Sequence, residues 1–452
     1  MNAKTLTPAP ADPPAAISFW QALRFWAVLG FISFGGPAGQ IAIMHSELVE
    51  KRRWISEGRF LHALNFCMLL PGPEATQLAT YIGWLMHRTW GGVVAGVLFV
   101  LPSLFILIGL AWVYMTWGDV PLVAGLFYGI KPAVAAIVIQ AAHRIGMRVL
   151  RNPLLWTIAV AAFVGIFVLG LPFPLIVGAA ALTGVIGGRV VPSKFTTGSA
   201  HAATGSARGS AVIADGVQAP HTRYTPGRLA RVLVVGTLLW VIPMAWLFTQ
   251  FGWSGTLTQM GWFFTKAAYL TIGGAYAVLP YVYQGAVEHF GWLTGPQMID
   301  GLALGETTPG PLIKVVTFVG FLGGWTTAVF GPEQRFLAGA VAAVVVTWFT
   351  FLPSFLFIFA GGPLVESTHG QLKFTAPLTA ITAAVVGVIV NLAVFFAYHV
   401  LWPDGLAGRF DGVSALIALA AAGALLWARR GVIETLAWCG ALGVALRLAG
   451  LA

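Results

Sequence analysis

The sequence predicts an all-α polytopic membrane protein, built as an inverted-topology internal repeat with broken or re-entrant half-helices. Three observations carry this expectation: an apolar, weakly charged composition, long apolar runs alternating with stretches broken by Gly and Pro, and recurrence of one pattern at fixed spacing. Of 452 residues, 58% are hydrophobic and only 9% charged, with a mean hydropathy of +0.84. A soluble domain carries roughly a quarter charged residues, so a soluble chain is excluded. At ~20 residues per crossing, the apolar mass would fill roughly 13 spans. The net charge of +10 does not indicate nucleic acid, because the basic residues sit between apolar runs rather than on a polar surface. They fit cytoplasmic loop charge or, as a second reading, attraction of an anionic solute. Cys67 and Cys439 lie inside separate apolar stretches and read as small buried residues, so no disulfide framework or metal cluster is expected.

From the N-terminus, residues 1–16 are rich in Pro and Ala, lack a signal-peptide succession, and read as a disordered tail. The first membrane repeat is assigned to 17–190. It opens with two apolar stretches broken near their middles, 19–49 at Gly35-Gly36-Pro37 and 60–86 at Pro71-Gly72-Pro73. Uninterrupted runs follow at 91–114, 121–142, 154–170 and 173–190. Residues 191–228 mix Ser, Gly, Ala and Thr without apolar periodicity and read as a flexible cytoplasmic linker. The second repeat is assigned to 229–452. It holds a run at 229–250, broken stretches at 259–290 (Gly273-Gly274) and 297–325 (Pro309-Gly310-Pro311), then runs at 336–360, 374–401, 413–428 and 432–450. Each half of a broken stretch is too short for the ~20 residues of a full crossing, so these read as paired half-helices or re-entrant hairpins.

The two repeats align in register. Trp54 lies 18 residues after Gly36 and 17 before Pro71, and Trp292 lies 18 after Gly274 and 17 before Pro309, a constant offset of 238. FVLPSLF around Pro102 answers FTFLPSF around Pro353, with about 13 extra residues before the second copy. The loop at 50–59 carries Lys51, Arg52, Arg53 and Arg59, whereas its counterpart at 286–296 has no Lys or Arg. The positive-inside rule puts the first in the cytoplasm and the second outside, as it puts Arg144, Arg148, Arg151, the linker, Arg429 and Arg430 inside. Equivalent loops on opposite sides imply inverted repeats, a transporter architecture with its site at the repeat interface near the midplane.

Broken helices persist in a bilayer only where protein or an aqueous cavity satisfies the freed backbone, so the breaks are the candidate site. Pro37, Pro73 and Pro311 each suit the first turn of a new helix, and a helix start offers free N–H groups and partial positive charge. Converging starts make a cradle for an oxyanion; the other reading is that Gly and Pro only kink or close-pack the helices. The candidate substrate-binding residues are Gly35, Gly36, Pro37, Gln40, Asn65, Pro71, Gly72, Pro73, Thr76, Gln77, Gly273, Gly274, Thr307, Thr308, Pro309, Gly310, Pro311 and Lys314. Glu74 and Glu306 are the candidate proton-coupling acids, since an intramembrane carboxylate is costly and usually functional; Glu74 also reads as an acid complementing a helix start. Lys314 reads either as a dianion-holding cation or as a snorkelling lysine. Gln40, Asn65, Thr76 and Gln77 read equally as helix–helix contacts. His45 reads as a hydrogen-bonded interfacial residue, Trp54 and Trp292 as interfacial anchors, and Asp300 as part of an outer vestibule. Arg24 and Lys131 are snorkelling or bundle-facing charges without an assigned role.

The stretch FGGPAGQIAIMHSELVEKRRWISEGRFLHALNFCMLLPGPEATQLATYIGW resembles the first-half signature of the chromate ion transporter (CHR) family, and the duplicated layout resembles its long, two-domain members. The resemblance covers nearly the whole chain apart from tail and linker. It implies chromate efflux across the bacterial inner membrane driven by the proton-motive force, chromate resistance, and sulfate as a structural analogue of the substrate. The family pattern points to Gly35, Gly36, Pro37, Gln40, Trp54, Pro71, Gly72, Pro73, Glu74, Thr76 and Gln77. The second half departs from it at Ile272, Ala275 and Leu312, which argues against equal use of both copies.

The sequence contains no Walker-type phosphate loop, no H-E-x-x-H and no G-x-S-x-G. A secondary transporter, not an enzyme, is expected, with an oxyanion and the lipid bilayer as partners, a homodimer as candidate assembly, and no cofactor, metal or nucleic acid. The alternatives are a transporter for sulfate or another oxyanion and, in a different class, an intramembrane enzyme acting on a lipid phosphate.

Overall fold

A computed structural model describes residues 16–195, 211–213, 220–368 and 375–451. All of the expected tail but Ala16, and residues 196–210 and 214–219 of the expected linker, lie outside the described residues. Among the described residues the fold is helical, with one isolated extended pairing, Ile55 with Ile213.

Helix α1 (Phe19–Ile32) starts at Ser18, whose hydroxyl accepts from the Gln21 N–H while the Gln21 side chain accepts from the Ser18 N–H. The chain breaks at Ser33–Gly35 and resumes as α2 (Gly36–His45), which runs into a π turn at Ser46–Lys51. Ser56 caps α3 (Glu57–Cys67). After Pro71-Gly72-Pro73 comes α4 (Glu74–Trp117), which kinks where His87 and Arg88 leave helical geometry, so a half-helix precedes a long limb. Then follow α5 (Pro121–Val149), α6 (Pro153–Phe167) and α7 (Phe173–Val190), each with proline in its first turn.

Helix α8 (Pro226–Phe251) has no counterpart among the described residues of the first copy. The pattern then returns as α9 (Thr256–Leu270), α10 (Ala275–Tyr283) with a π turn at Gln284–His289, α11 (Gly295–Thr307) capped by Thr294, and a 3-10 turn at Leu312–Lys314 that leads into α12 (Val315–Thr327). The second copy closes with α13 (Arg335–Thr368), α14 (Thr375–Leu401), α15 (Gly412–Leu426) and α16 (Val432–Leu448). The duplication holds in detail: both π turns, both capping residues and the left-handed pairs Gly35-Gly36 and Gly273-Gly274 recur at the offset of 238. So do the bonds Trp54 N–H to Leu48 O and Trp292 N–H to Ala286 O.

The copies interlock rather than standing side by side. Helix α5 packs on α14, α15 and α16, while α14 packs on α5, α6 and α7, and α4 packs on α12 and α13. Close approach of α5 to α16 needs glycine: a Cβ on Gly129 would lie 1.9 Å from the Cys439 carbonyl oxygen. Large apolar side chains face outward, with Trp156 on α6 and Leu419 on α15 well exposed, as lipid-facing surfaces require.

Six of the described helices are long and apolar enough to cross a membrane: α4, α5, α7, α8, α13 and α14. This chain is therefore an all-α polytopic membrane protein. Three of the nine runs expected to be uninterrupted spans are shorter as helices, with α6 and α15 at 15 residues and α16 at 17. At 1.5 Å per residue these reach about 22–26 Å, less than the ~30 Å hydrocarbon core.

Candidate functional site

The four breaks meet at the contact between copies. The Gly72 N–H donates to the Thr271 carbonyl over 2.7 Å, and the equivalent Gly310 N–H donates to the equivalent Ser33 carbonyl over 2.8 Å. Each Pro-Gly-Pro turn thus completes its backbone on the other copy's Gly-Gly turn. The Tyr276 hydroxyl donates to Glu306 and joins the two breaks of the second copy. The LPS motifs of the long limbs cross over as well. A Cβ on Gly72 would lie 2.5 Å from Ser354 Oγ, and one on Gly310 would lie 2.9 Å from Ser103 Oγ. Left-handed φ values of +124° and +96° add to the reason that both positions are glycine.

Side chains then complete the turns differently in the two copies. Lys314 is 1% exposed, and its ammonium donates to the carbonyls of Thr308 (2.6 Å), Pro309 (2.6 Å) and Gly310 (3.0 Å). Gln40 Nε2 donates to the same Gly310 carbonyl at 2.5 Å. In the first copy, Gln77 Nε2 takes the Pro71 carbonyl at 2.7 Å. Four buried oxygens around these turns, on Gln40, Thr76, Gln77 and Ser354, have no hydrogen-bond partner among the described residues. Buried polar atoms are normally paired, so these are the atoms free to receive something else. Two of them, on Thr76 and Ser354, are hydroxyls and can donate.

Glu74 makes no ion pair or hydrogen bond among the described residues. Its carboxylate stands 3.9 Å from where a Cβ on Gly274 would lie, so both acids flank the Gly273–Tyr276 segment. Beside Gly36 a Cβ would meet nothing within 4 Å, which leaves room at the start of α2.

The remaining candidates are placed less centrally. Thr307 and Thr308 bond back to carbonyls of their own helix. Asn65 is exposed on α3 and has no partner among the described residues. Pro37 and Pro73 stand at the starts of α2 and α4, while Pro311 precedes the Leu312–Lys314 turn. Three readings change. Trp292 is not an interfacial anchor: it is 2% exposed and stacked on Phe290 and Phe264. Asp300 is 2% exposed rather than in an open vestibule, and takes the Tyr114 hydroxyl at 2.8 Å and the Lys131 ammonium at 3.2 Å. That pair also gives Lys131 a partner. His45 is indeed hydrogen-bonded, to Glu57 at 2.6 Å.

A second ion pair between copies escaped sequence reasoning: Arg59 on α3 meets Glu366 on α13 at 2.9 Å, and Glu366 also takes the Tyr81 hydroxyl. These two clamps join the second half-helix pair of one copy to the other copy: Asp300 of α11 meets Tyr114 at the far end of α4 and Lys131 on α5, and Arg59 of α3 meets Glu366 near the end of α13.

Comparison with known proteins adds the following. A family model described as Chromate transporter matches residues 20–185 and 258–444 and omits α8. The chromate transport protein of Pseudomonas aeruginosa is 32% identical over 383 residues, covering 83% of this chain and 80% of that protein. The chromate transport protein of Cupriavidus metallidurans is 29% identical, covering 86% and 88%. A probable chromate transport protein of Synechococcus elongatus is 27% identical, covering 84% of each. No solved structure matches.

Proposed function

The chain belongs to the chromate transporter family, and from that premise we propose that it is a secondary transporter exporting chromate across the inner membrane, coupled to protons and conferring chromate resistance. The observation that carries the reading is the meeting of four helix breaks around buried polar oxygens that have no partner among the described residues. A tetrahedral dianion would take the N–H groups at the starts of α2 and α4 and the hydroxyls of Thr76 and Ser354. Gly35, Gly36, Gly273 and Gly274 would let the backbone approach it. Because the N–H bonds of Lys314 are spent on carbonyls, its role toward the anion is that of a fixed positive charge. Glu74 and Glu306 would carry the protons that accompany exchange between the two faces.

Inverted repeats support alternating access around such a site. Two bonds favour opposite facing of the hairpins of the two copies. The Trp84 carbonyl, near the end of the first α4 half-helix, bonds His221 of the basic linker. The Gln284 side chain, at the end of α10, accepts from Phe173 beside the uncharged turn before α7.

Purified protein in liposomes, given labelled chromate or sulfate under an imposed pH gradient, tests the reading. Chromate flux should exceed that of protein-free liposomes and collapse when the gradient is dissipated. Flux equal to the empty liposomes would overturn transport; flux indifferent to the gradient would overturn coupling.

A further inference from the structure

A cavity of about 530 Å³ outside the repeat interface has no part in the transport reading. It lies between an outward stripe of α1 (Gln21, Arg24, Val28, Ile32) and the turn carrying Glu47, Arg52 and Trp54. We infer that this cavity holds an anionic phospholipid, with its phosphate between Arg24 and Arg52 and an acyl chain along Val28 and Ile32.

Charge complementarity identifies the head group. Arg24 has no ion pair or hydrogen bond among the described residues, although it sits within an apolar helix where an unpaired charge is costly. Arg52 is already oriented: its guanidinium lies 5.1 Å from the Phe25 ring centre and 5.2 Å from that of Trp54. Glu47 does not neutralise Arg24, because it is engaged by Lys51 at 2.7 Å and by Arg52 at 3.5 Å. The Lys51 ammonium beside it holds its carboxyl below the usual carboxylate range, so it stays ionised and paired. The cavity therefore offers two arginines against one carboxylate, and a planar guanidinium matches a phosphate.

The apolar end argues for a lipid rather than a free oxyanion. From Arg24 to Ile32 the helix rises about 12 Å, and Val28 and Ile32 are 59% and 45% exposed along it. A small dianion gains nothing from that surface, whereas an acyl chain is stabilised by covering it. Trp20 and Trp90 stand exposed near the polar end, where a His87–Ile17 bond brings the neighbouring segments together, as expected at a head-group boundary. In the orientation proposed above this is the cytoplasmic leaflet, whose anionic lipids attract basic pockets.

The test uses the full-length protein, delipidated in detergent and loaded with equal amounts of phosphatidylglycerol and phosphatidylcholine of the same acyl chains. Retained lipid is counted by native mass spectrometry. Phosphatidylglycerol should be retained in excess. Arg24→Ala should cut that retention about fivefold, the ratio given by ~1 kcal/mol per basic residue near a membrane surface, and leave phosphatidylcholine unchanged. Arg24→Lys should restore most of it. Arg24 makes no ion pair or hydrogen bond among the described residues, so its variants should keep the fold even where Arg52→Ala does not. Equal retention of the two lipids, or no effect of Arg24→Ala, would overturn the site. Displacement of the lipid by millimolar sulfate or inorganic phosphate would overturn it in favour of a free-anion site.

Discussion

Lys314 puts a buried ammonium on three consecutive carbonyls, so replacing it by an uncharged chain of similar length should act twice. Hydrogen bonds to a charged group contribute ~1.5–3 kcal/mol, and Lys314→Met should lower the melting temperature in detergent while reducing chromate flux. An unchanged melting temperature would mean that these bonds do not hold the turn. Glu306→Gln preserves a partner for the Tyr276 hydroxyl yet removes the titratable proton. Flux in this variant should lose its pH dependence while the melting temperature holds; a wild-type pH profile would exclude Glu306 as a proton carrier. Sequence made Glu74, Glu306 and Lys314 visible because each is a lone charge among apolar neighbours. It could not reveal that Lys131 belongs to Asp300 or Arg59 to Glu366, since those pairs form only when copies distant in sequence interlock. Ser103 and Ser354 were printed in the duplicated LPS motif, but nothing in a serine's neighbours tells that it will face a glycine of the other copy.

At the level of elements, the two kinds of glycine turn should respond differently to a methyl group. Gly72→Ala meets Ser354 Oγ at 2.5 Å and Gln77 Nε2 at 2.7 Å, and also carries a φ of +124°. Gly36→Ala carries a φ of +66° but meets nothing within 4 Å, so only the left-handed cost of roughly 1–2 kcal/mol applies. Thermal unfolding should therefore rank Gly72→Ala well below Gly36→Ala, and Gly72→Ala combined with Ser354→Ala should recover part of the loss. Equal melting temperatures for the two single variants would contradict the packing of Gly72. The breaks were legible because Gly-Gly and Pro-Gly-Pro punctuate otherwise apolar runs. The π turns at Ser46–Lys51 and Gln284–His289 were not, since a change of one residue in hydrogen-bond spacing leaves composition untouched. The lengths of α6, α15 and α16 were overestimated because apolar residues continue past the last helical turn.

Across the whole molecule, the two clamps tie copy to copy at separate places. The side chains of Arg59 and Glu366 are 10% and 2% exposed, and removing one member of a buried pair costs about 3–5 kcal/mol. Glu366→Leu should destabilise the protein more than Glu366→Leu combined with Arg59→Met, which leaves no buried guanidinium behind. Thermal unfolding checks this, and the reverse order would mean that Arg59 is satisfied without Glu366. The duplication itself was readable as an offset of 238, but the exchange of packing between α5 and α14–α16, and between α14 and α5–α7, was not, because a repeat in sequence does not say whether its copies sit apart or entwine.

The crossed bonds from Gly72 to Thr271 and from Gly310 to Ser33 have a consequence for biogenesis. A lone half leaving the insertion machinery would carry the N–H of its Pro-Gly-Pro turn into hydrocarbon without the carbonyl that meets it here. Neither half is then a finished folding unit: each serves as the template on which the other closes. A gene cut within the linker should give two polypeptides that are degraded when made singly and accumulate one-to-one when made together.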